Sequence, residues 1–119
     1  MKKVICTKCG TLHVLKGKQY LCKDCKREHQ RMTNRRNRAR WYEIIGSACI
    51  TCGYSKSTAA LDFHHRDPSE KLFAIAPKLN AINPDSCKSG VRDQILAEVA
   101  KCDLICANCH RERHELENE

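Results

Sequence analysis

The sequence is poor in aromatic residues and has no long apolar run. Only 5% of its 119 residues are aromatic, whereas 30% are charged, so a large hydrophobic core is not expected. No stretch approaches the ~20 apolar residues that a transmembrane helix needs. Lys2 and Lys3 are not followed by the apolar segment of a signal peptide. We therefore expect a small cytoplasmic protein with no membrane partner.

Acidic residues are scarce in the first part of the chain. Residues 1–48 contain thirteen Lys/Arg and three Asp/Glu, a net charge of +10, whereas residues 49–119 carry a net charge of −2. A strongly basic segment suits the phosphate backbone of a nucleic acid. Binding to a membrane surface would also require an apolar face, which this segment lacks.

Cysteine is abundant, with ten residues in the chain. Eight of them form Cys-x-x-Cys pairs, which are Cys6/Cys9, Cys22/Cys25, Cys49/Cys52 and Cys106/Cys109. Pairs at this spacing are typical of zinc knuckles, and the absence of a secretory signal favours metal over disulfide bonds. A redox protein that uses these pairs for disulfide exchange is a weaker alternative. Cys87 and Cys102 are interpreted as ordinary small residues.

The first two cysteine pairs predict an N-terminal zinc ribbon over residues 1–25. Twelve residues separate Cys9 from Cys22, and this segment is interpreted as a hairpin between two knuckles. Four thiolates can close a tetrahedral Zn site that leaves no position for a substrate, so the site would be structural. Metal binding would supply the folding energy that so small a core cannot.

Residues 26–46 predict a basic linker helix. The segment has no Gly or Pro before Gly46, and arginines spaced by three or four residues share one face. Arginines clustered in this way favour contact with DNA phosphates, although a solvated helix linking two modules is the alternative. The candidate DNA-binding residues here are Arg27, Arg31, Arg35, Arg36, Arg38 and Arg40. Trp41 and Tyr42 are expected to dock onto the second module.

Residues 47–119 predict a second module that is also closed by zinc. Its two cysteine pairs are natural partners for one Zn, although free thiols or pairing across modules stay open. The predicted elements are a short strand over 59–63, a loop over 74–90, a helix over 91–101, and a strand, knuckle and helix from 103 onwards.

Histidines lie close to both cysteine pairs of this module. His64 and His65 are adjacent, and His110 and His114 are four residues apart, which places both on one face of the predicted last helix. Pairing of the two knuckles would bring the two histidine groups together. The alternative is that His64 and His65 belong to a structural Zn site.

The combined motif resembles the HNH endonuclease family. Its parts are Cys49-x-x-Cys52, Leu61-x-Phe-His-His-x-Asp-Pro68 and Leu104-Ile-Cys-Ala-Asn-Cys-His-x-x-x-His114. The resemblance covers residues 47–115 and is to the small, Cys-knuckle members common in phage and prophage genomes. It implies a ββα-metal module. The expected fold class is therefore a small, zinc-stabilised α+β protein with a zinc ribbon, a linker helix and this module.

The resemblance also implies a role for each histidine. His65 matches the general base, and the other three match ligands of one catalytic divalent ion, which would be Mg, Mn, Ni or Zn. These three predicted ligands are His64, His110 and His114. Asp62 or Asp67 could orient an imidazole or add an oxygen ligand.

Two features near the predicted site concern phosphate binding and loop bracing. Arg66, Arg111 and Arg113 are candidates to hold DNA phosphates. The family's central asparagine, which usually lies five residues before the last knuckle, is replaced by Lys101. Asp103 or Asn108 is a candidate to brace the loop instead.

The expected function is metal-dependent hydrolysis of DNA phosphodiester bonds. The resemblance implies nicking by a monomer, double-strand cleavage by a DNA-induced dimer, and 5′-phosphate and 3′-hydroxyl products. A phage or prophage product in a bacterial host would also have phage packaging proteins as candidate partners. The rival function is non-catalytic binding of DNA or RNA by the same zinc-stabilised scaffold.

Overall fold

The structure is a computed structural model that describes residues 2–15, 17 and 20–117. Cα proximity divides the chain into two compact units, residues 1–35 and 36–119. The boundary falls inside the long helix α1, Lys23–Ile45. This helix begins slightly earlier than the predicted linker helix, and its sequence contains no residue that would interrupt it.

The first unit contains a two-stranded antiparallel sheet. Strand β1, Lys3–Ile5, pairs with β2, Leu12–Val14. The two strands flank the first cysteine knuckle, and β2 falls within the segment predicted to form a hairpin between the two knuckles. Gly10 has a φ of 80°, a conformation that glycine adopts readily, and it ends the knuckle turn ahead of β2. Residues 16, 18 and 19 of the predicted hairpin lie outside the described residues.

The second unit contains another antiparallel pair of strands. Strand β3, Leu61–His65, pairs along its whole length with β4, Cys102–Cys106. The predicted strand over 59–63 is therefore placed too early. Thr58–Ala60 instead forms a 3-10 turn, because the Ser57 hydroxyl accepts a hydrogen bond from the Ala59 N–H at 3.3 Å and caps the turn.

Three helices complete the second unit. They are α2, Ile75–Ala81, α3, Ser89–Val99, and α4, Ala107–Glu117. The prediction of a loop over 74–90 is wrong for its first part, because α2 lies there. Pro77 is tolerated in the first turn of this helix, where its missing N–H has no intrahelical partner to lose. Helix α3 starts earlier than predicted, and α4 follows β4 as predicted.

Two small cores hold the second unit together. One contains Trp41, Ile75, Leu79 and Ile95, and the other contains Tyr42, Cys49, Leu61, Ile105 and Cys106. The Trp41 indole is fully buried, and its N–H donates to the Ile82 carbonyl at 2.7 Å. This bond satisfies the one polar group of the side chain.

The described residues thus form a small α+β protein with four α-helices and two small antiparallel sheets. Within the same residues, no helix combines the length and the apolar character needed to cross a membrane.

Candidate metal centre

The first cysteine cluster lies in the first unit. Its members are Cys6, Cys9, Cys22 and Cys25, with all four sulfur atoms within 4.8 Å of one another. The Cys9 and Cys22 sulfurs are 3.6 Å apart. Sulfurs bound at ~2.3 Å around a tetrahedral Zn would lie about 3.8 Å apart. The cluster therefore has dimensions that could hold a structural Zn.

The second cluster lies in the second unit and joins the predicted partners. Its members are Cys49, Cys52, Cys106 and Cys109, within the same 4.8 Å limit. The Cys52 and Cys106 sulfurs are 3.7 Å apart. The Ile50 N–H donates to the Leu104 carbonyl at 2.9 Å, which ties the knuckle to β4. The predicted grouping of the two pairs is confirmed, and Cys87 and Cys102 belong to neither cluster.

The thiols within each cluster differ in acidity. Hydrogen bonds from the Cys22 and Cys9 backbone N–H groups lower the pKa of Cys6 to about 5. The neighbouring Cys9 and Cys22 sulfurs raise the pKa of Cys25 to about 12. Four thiolates therefore repel one another in a bare cluster. A divalent ion would offset this repulsion, which fits a metal-binding role.

Adjacent histidines on β3 point to opposite sides of the sheet, as residues of a strand must. The His64 ring lies 5.2 Å from that of His110 and 5.3 Å from that of His114, measured between centroids. His65 lies on the other side, where its Nε2 is 2.9 Å from Glu98 Oε1. His64 and His65 can therefore have different functions, because their rings do not occupy the same side of the sheet.

The three predicted histidine ligands form a cluster on the α4 side of the sheet. His64, His110 and His114 each offer a ring nitrogen within 4.8 Å of the others. The four-residue spacing on α4 brings the Nε2 atoms of His110 and His114 to 2.8 Å. Burial lowers the pKa of His64, which favours the neutral imidazole that a metal requires.

Acidic side chains contact this histidine cluster. Asp62 Oδ2 lies 3.1 Å from His110 Nδ1, so the carboxylate can accept a hydrogen bond from Nδ1–H and leave the Nε2 lone pair for a metal. Asp67 instead caps a 3-10 turn by accepting from Ser69. Glu117, which the sequence analysis missed, lies 3.3 Å from His64 Nε2. Glu117 is seven residues after His110 and therefore lies on the same face of α4, and this spacing could have predicted its contact with the cluster.

A cavity of about 320 Å³ borders both His65 and His110. It is lined by Asp62, His65 and His110, together with Lys71 and apolar side chains. The predicted general base and one predicted metal ligand therefore face the same space.

Helix α3 contributes a residue that the sequence analysis missed. Glu98 is 1% exposed and accepts from the Leu72 N–H at 3.1 Å, in addition to its contact with His65. Although burial raises its pKa, hydrogen bonds from Lys101, Leu72 and His65 lower the pKa of Glu98 to about 2. In the sequence, Glu98 lies on the same helical face as the apolar residues Val91 and Ile95, and this spacing could have predicted that its carboxylate is buried.

Lys101 itself contacts the loop after β3. Its Nζ donates to the Glu70 carbonyl and to Glu98 Oε2, both at 3.0 Å. Of the two candidates for bracing this loop, Asp103 accepts a hydrogen bond from Arg66, the first residue after β3, whereas Asn108 is exposed on α4. Lys101 and Asp103 therefore both hold the loop that follows β3.

The arginines differ in how many hydrogen bonds and ion pairs they form with other protein groups. Arg66 donates to the Cys102 and Ala100 carbonyls and to Asp103, and Arg113 also donates to Asp103, at 2.8 Å. Arg40 pairs with Asp85 at 2.8 Å and with Glu43 at 3.0 Å. Among the predicted DNA-binding residues, those that are exposed are Arg27, Arg31, Arg35, Arg36, Arg66 and Arg111, whereas Arg38 and Arg40 are half-buried.

No protein-family model, curated protein or solved structure matches this chain.

Proposed function

We propose that this protein is a metal-dependent endonuclease that hydrolyses DNA phosphodiester bonds. The observation that supports this proposal is the cavity lined by both His65 and His110, the latter a member of the histidine cluster. Phosphodiester hydrolysis requires a group that deprotonates water and a positive centre that stabilises charge on the phosphate. His65 would be the first of these groups, and a divalent ion held by the cluster that includes His110 would be the second.

In the proposed site, His64, His110 and His114 bind one divalent ion. Neutral imidazole ligands leave the full charge of the ion for the substrate, where it would act as a Lewis acid on a phosphate oxygen. An all-nitrogen set suits Zn, Ni or Mn better than Mg, which prefers oxygen ligands. The Asp62 carboxylate would hold the His110 ring in the orientation that presents Nε2 to the ion.

His65 is proposed as the general base that takes a proton from water. An imidazole has an ordinary pKa near ~6.5, which suits proton transfer at neutral pH. The exposed arginines of α1 would bind phosphates and so position DNA without reading its sequence. The expected products carry 5′-phosphate and 3′-hydroxyl ends.

The proposal is tested by cleavage of supercoiled plasmid in Mg²⁺, Mn²⁺, Ni²⁺ or Zn²⁺. We expect wild-type protein to convert the plasmid to open-circle or linear DNA. His65→Ala should cleave about 10²- to 10⁴-fold more slowly, the usual contribution of a general base, while its affinity for DNA is unchanged. His29→Ala is the matched control because His29 is exposed on α1.

The alternative is a non-catalytic protein that binds DNA or RNA through its basic N-terminal segment. This function is supported by the net charge of +10 over residues 1–48. If wild-type protein binds DNA but cleaves it with none of the four metals, the nuclease proposal fails and the binding function replaces it.

A further inference from the structure

Glu98 has a buried carboxylate that is neither a proposed metal ligand nor the proposed general base. A carboxylate that is 1% exposed is costly unless its oxygens are fully hydrogen-bonded. Its three partners come from separate segments: His65 on β3, the Leu72 N–H in the following loop, and Lys101 just after α3. The carboxylate therefore joins these segments at a single point.

The contact with His65 determines which ring nitrogen carries the proton. Glu98 is ion-paired with Lys101 at 3.0 Å, so it is an ionised carboxylate that can only accept hydrogen bonds. The Nε2 atom of His65, 2.9 Å from Glu98 Oε1, must then be the donor. In the neutral ring, the lone pair that can accept a proton from water is consequently on Nδ1.

The same group restricts rotation of the His65 ring. The His65 side chain is 9% exposed, and its partner carboxylate is held by two further hydrogen bonds. Lys101 also donates to the Glu70 carbonyl, while Glu98 accepts from Leu72. The two side chains of one ion pair thus hold the loop that follows His65 at two points, one as a donor and the other as an acceptor.

We propose that Glu98 is a positioning residue, which keeps His65 in the Nε2–H tautomer and aims Nδ1 at water in the cavity. This inference rests on the proposed function, because it assigns the orienting partner of the general base. Lys101 supports the same arrangement by holding Glu98 in place. Neither side chain needs to touch the substrate.

The first test is a long-range ¹H–¹⁵N spectrum of the ¹⁵N-labelled, zinc-loaded full chain at pH 7.5. We expect the His65 resonances to show a proton on Nε2 and an unprotonated Nδ1. An Nδ1–H tautomer in the wild-type protein would overturn the proposal. This measurement needs no variant, so it remains decisive if substitution of Glu98 prevents folding.

The second test is the kinetics of Glu98→Gln in plasmid cleavage. We expect kcat to fall roughly 10- to 100-fold, as it does when the partner that orients a metal-ligating imidazole is removed. KM and zinc content should be unchanged, and the His65 tautomer should become mixed. Glu70→Gln is the matched control, because the Glu70 side chain is exposed and the residue contacts Lys101 through its backbone carbonyl.

The outcomes separate this inference from the proposed function. Active wild-type protein together with a folded Glu98→Gln variant of equal kcat would overturn the positioning role alone. Wild-type protein that cleaves no DNA would overturn both.

Discussion

At the scale of single residues, the site depends on imidazoles whose two nitrogens have different partners. His110 uses Nδ1 for Asp62 and keeps Nε2 near His114, whereas His65 uses Nε2 for Glu98. Each carboxylate selects one tautomer, and the tautomer decides which nitrogen faces a metal or water. The acidic partners are therefore as important to the proposed chemistry as the histidines.

The role of Asp62 can be tested by Asp62→Asn. The amide can no longer accept as strongly from His110 Nδ1, so we expect affinity for the third divalent ion to fall about 10- to 100-fold. Metal affinity is measured by calorimetric titration of protein whose cysteine clusters are already zinc-loaded. Asp67→Asn is the control, since Asp67 accepts from Ser69 in a turn. Equal decreases in both variants would argue against an orienting role for Asp62.

Much of the site was predictable from local spacing, because ligands on one element have fixed relative positions. His110 and His114 could be placed on one face of a helix from their separation alone. Glu98 could not be assigned to His65 in the same way. That contact depends on how α3 packs against the β3–β4 sheet, and such packing is set by many weak interactions along the chain.

At the scale of secondary-structure elements, α2 shows where local patterns fail. Residues 74–90 contain Pro77, Pro84, Gly90 and several Asn and Ser residues, which predicted a loop. Ile75 and Leu79, four residues apart, are 3% and 1% exposed and pack with Trp41 and Ile95. Burial of this apolar pair stabilises a helix of 7 residues that would be too short to be stable in isolation.

This interpretation of α2 predicts a large cost for Leu79→Ala. Removing a fully buried leucine side chain should lower the free energy of unfolding by about 2–5 kcal/mol. Leu72→Ala is the matched control, because Leu72 is 78% exposed and its change should stay within about 0.5 kcal/mol. Both values come from urea denaturation followed by circular dichroism at constant zinc concentration. Similar costs for the two variants would contradict the core assigned to α2.

At the scale of the whole molecule, two four-cysteine clusters stabilise two small units. Cys6, Cys9, Cys22 and Cys25 lie in residues 1–35, and the second cluster lies in residues 36–119. Small cores gain little from burial, so we infer that zinc supplies much of the folding free energy in each unit.

The two clusters predict two tightly bound zinc ions per chain, counted by elemental analysis. Cys49→Ser should lose one of them, whereas Cys87→Ser should lose none because Cys87 lies outside both clusters. Protons compete with zinc for thiolates, so zinc should be released as pH falls and retained at neutral pH. Retention of two ions by Cys49→Ser would contradict the second site.

The basic N-terminal segment predicts a salt-dependent affinity for DNA. Arg35 and Arg36 are exposed on α1, so the double alanine variant should reduce the slope of log K against log salt by about 0.9 for each phosphate that these arginines neutralise. Fluorescence anisotropy with a labelled duplex measures this slope. Lys56→Ala is the control, since Lys56 is exposed outside the basic segment. An unchanged slope in the double variant would show that these arginines of α1 do not contact DNA phosphates.

The central claim is that the three clustered histidines bind the ion that enables DNA cleavage. Its most direct test titrates one divalent metal into zinc-loaded protein while following binding and plasmid cleavage in the same samples. We predict that one further ion binds per chain, that the cleavage rate saturates along the same curve, and that His110→Ala abolishes both. Cleavage that is independent of this ion, or that persists in His110→Ala, would contradict the account.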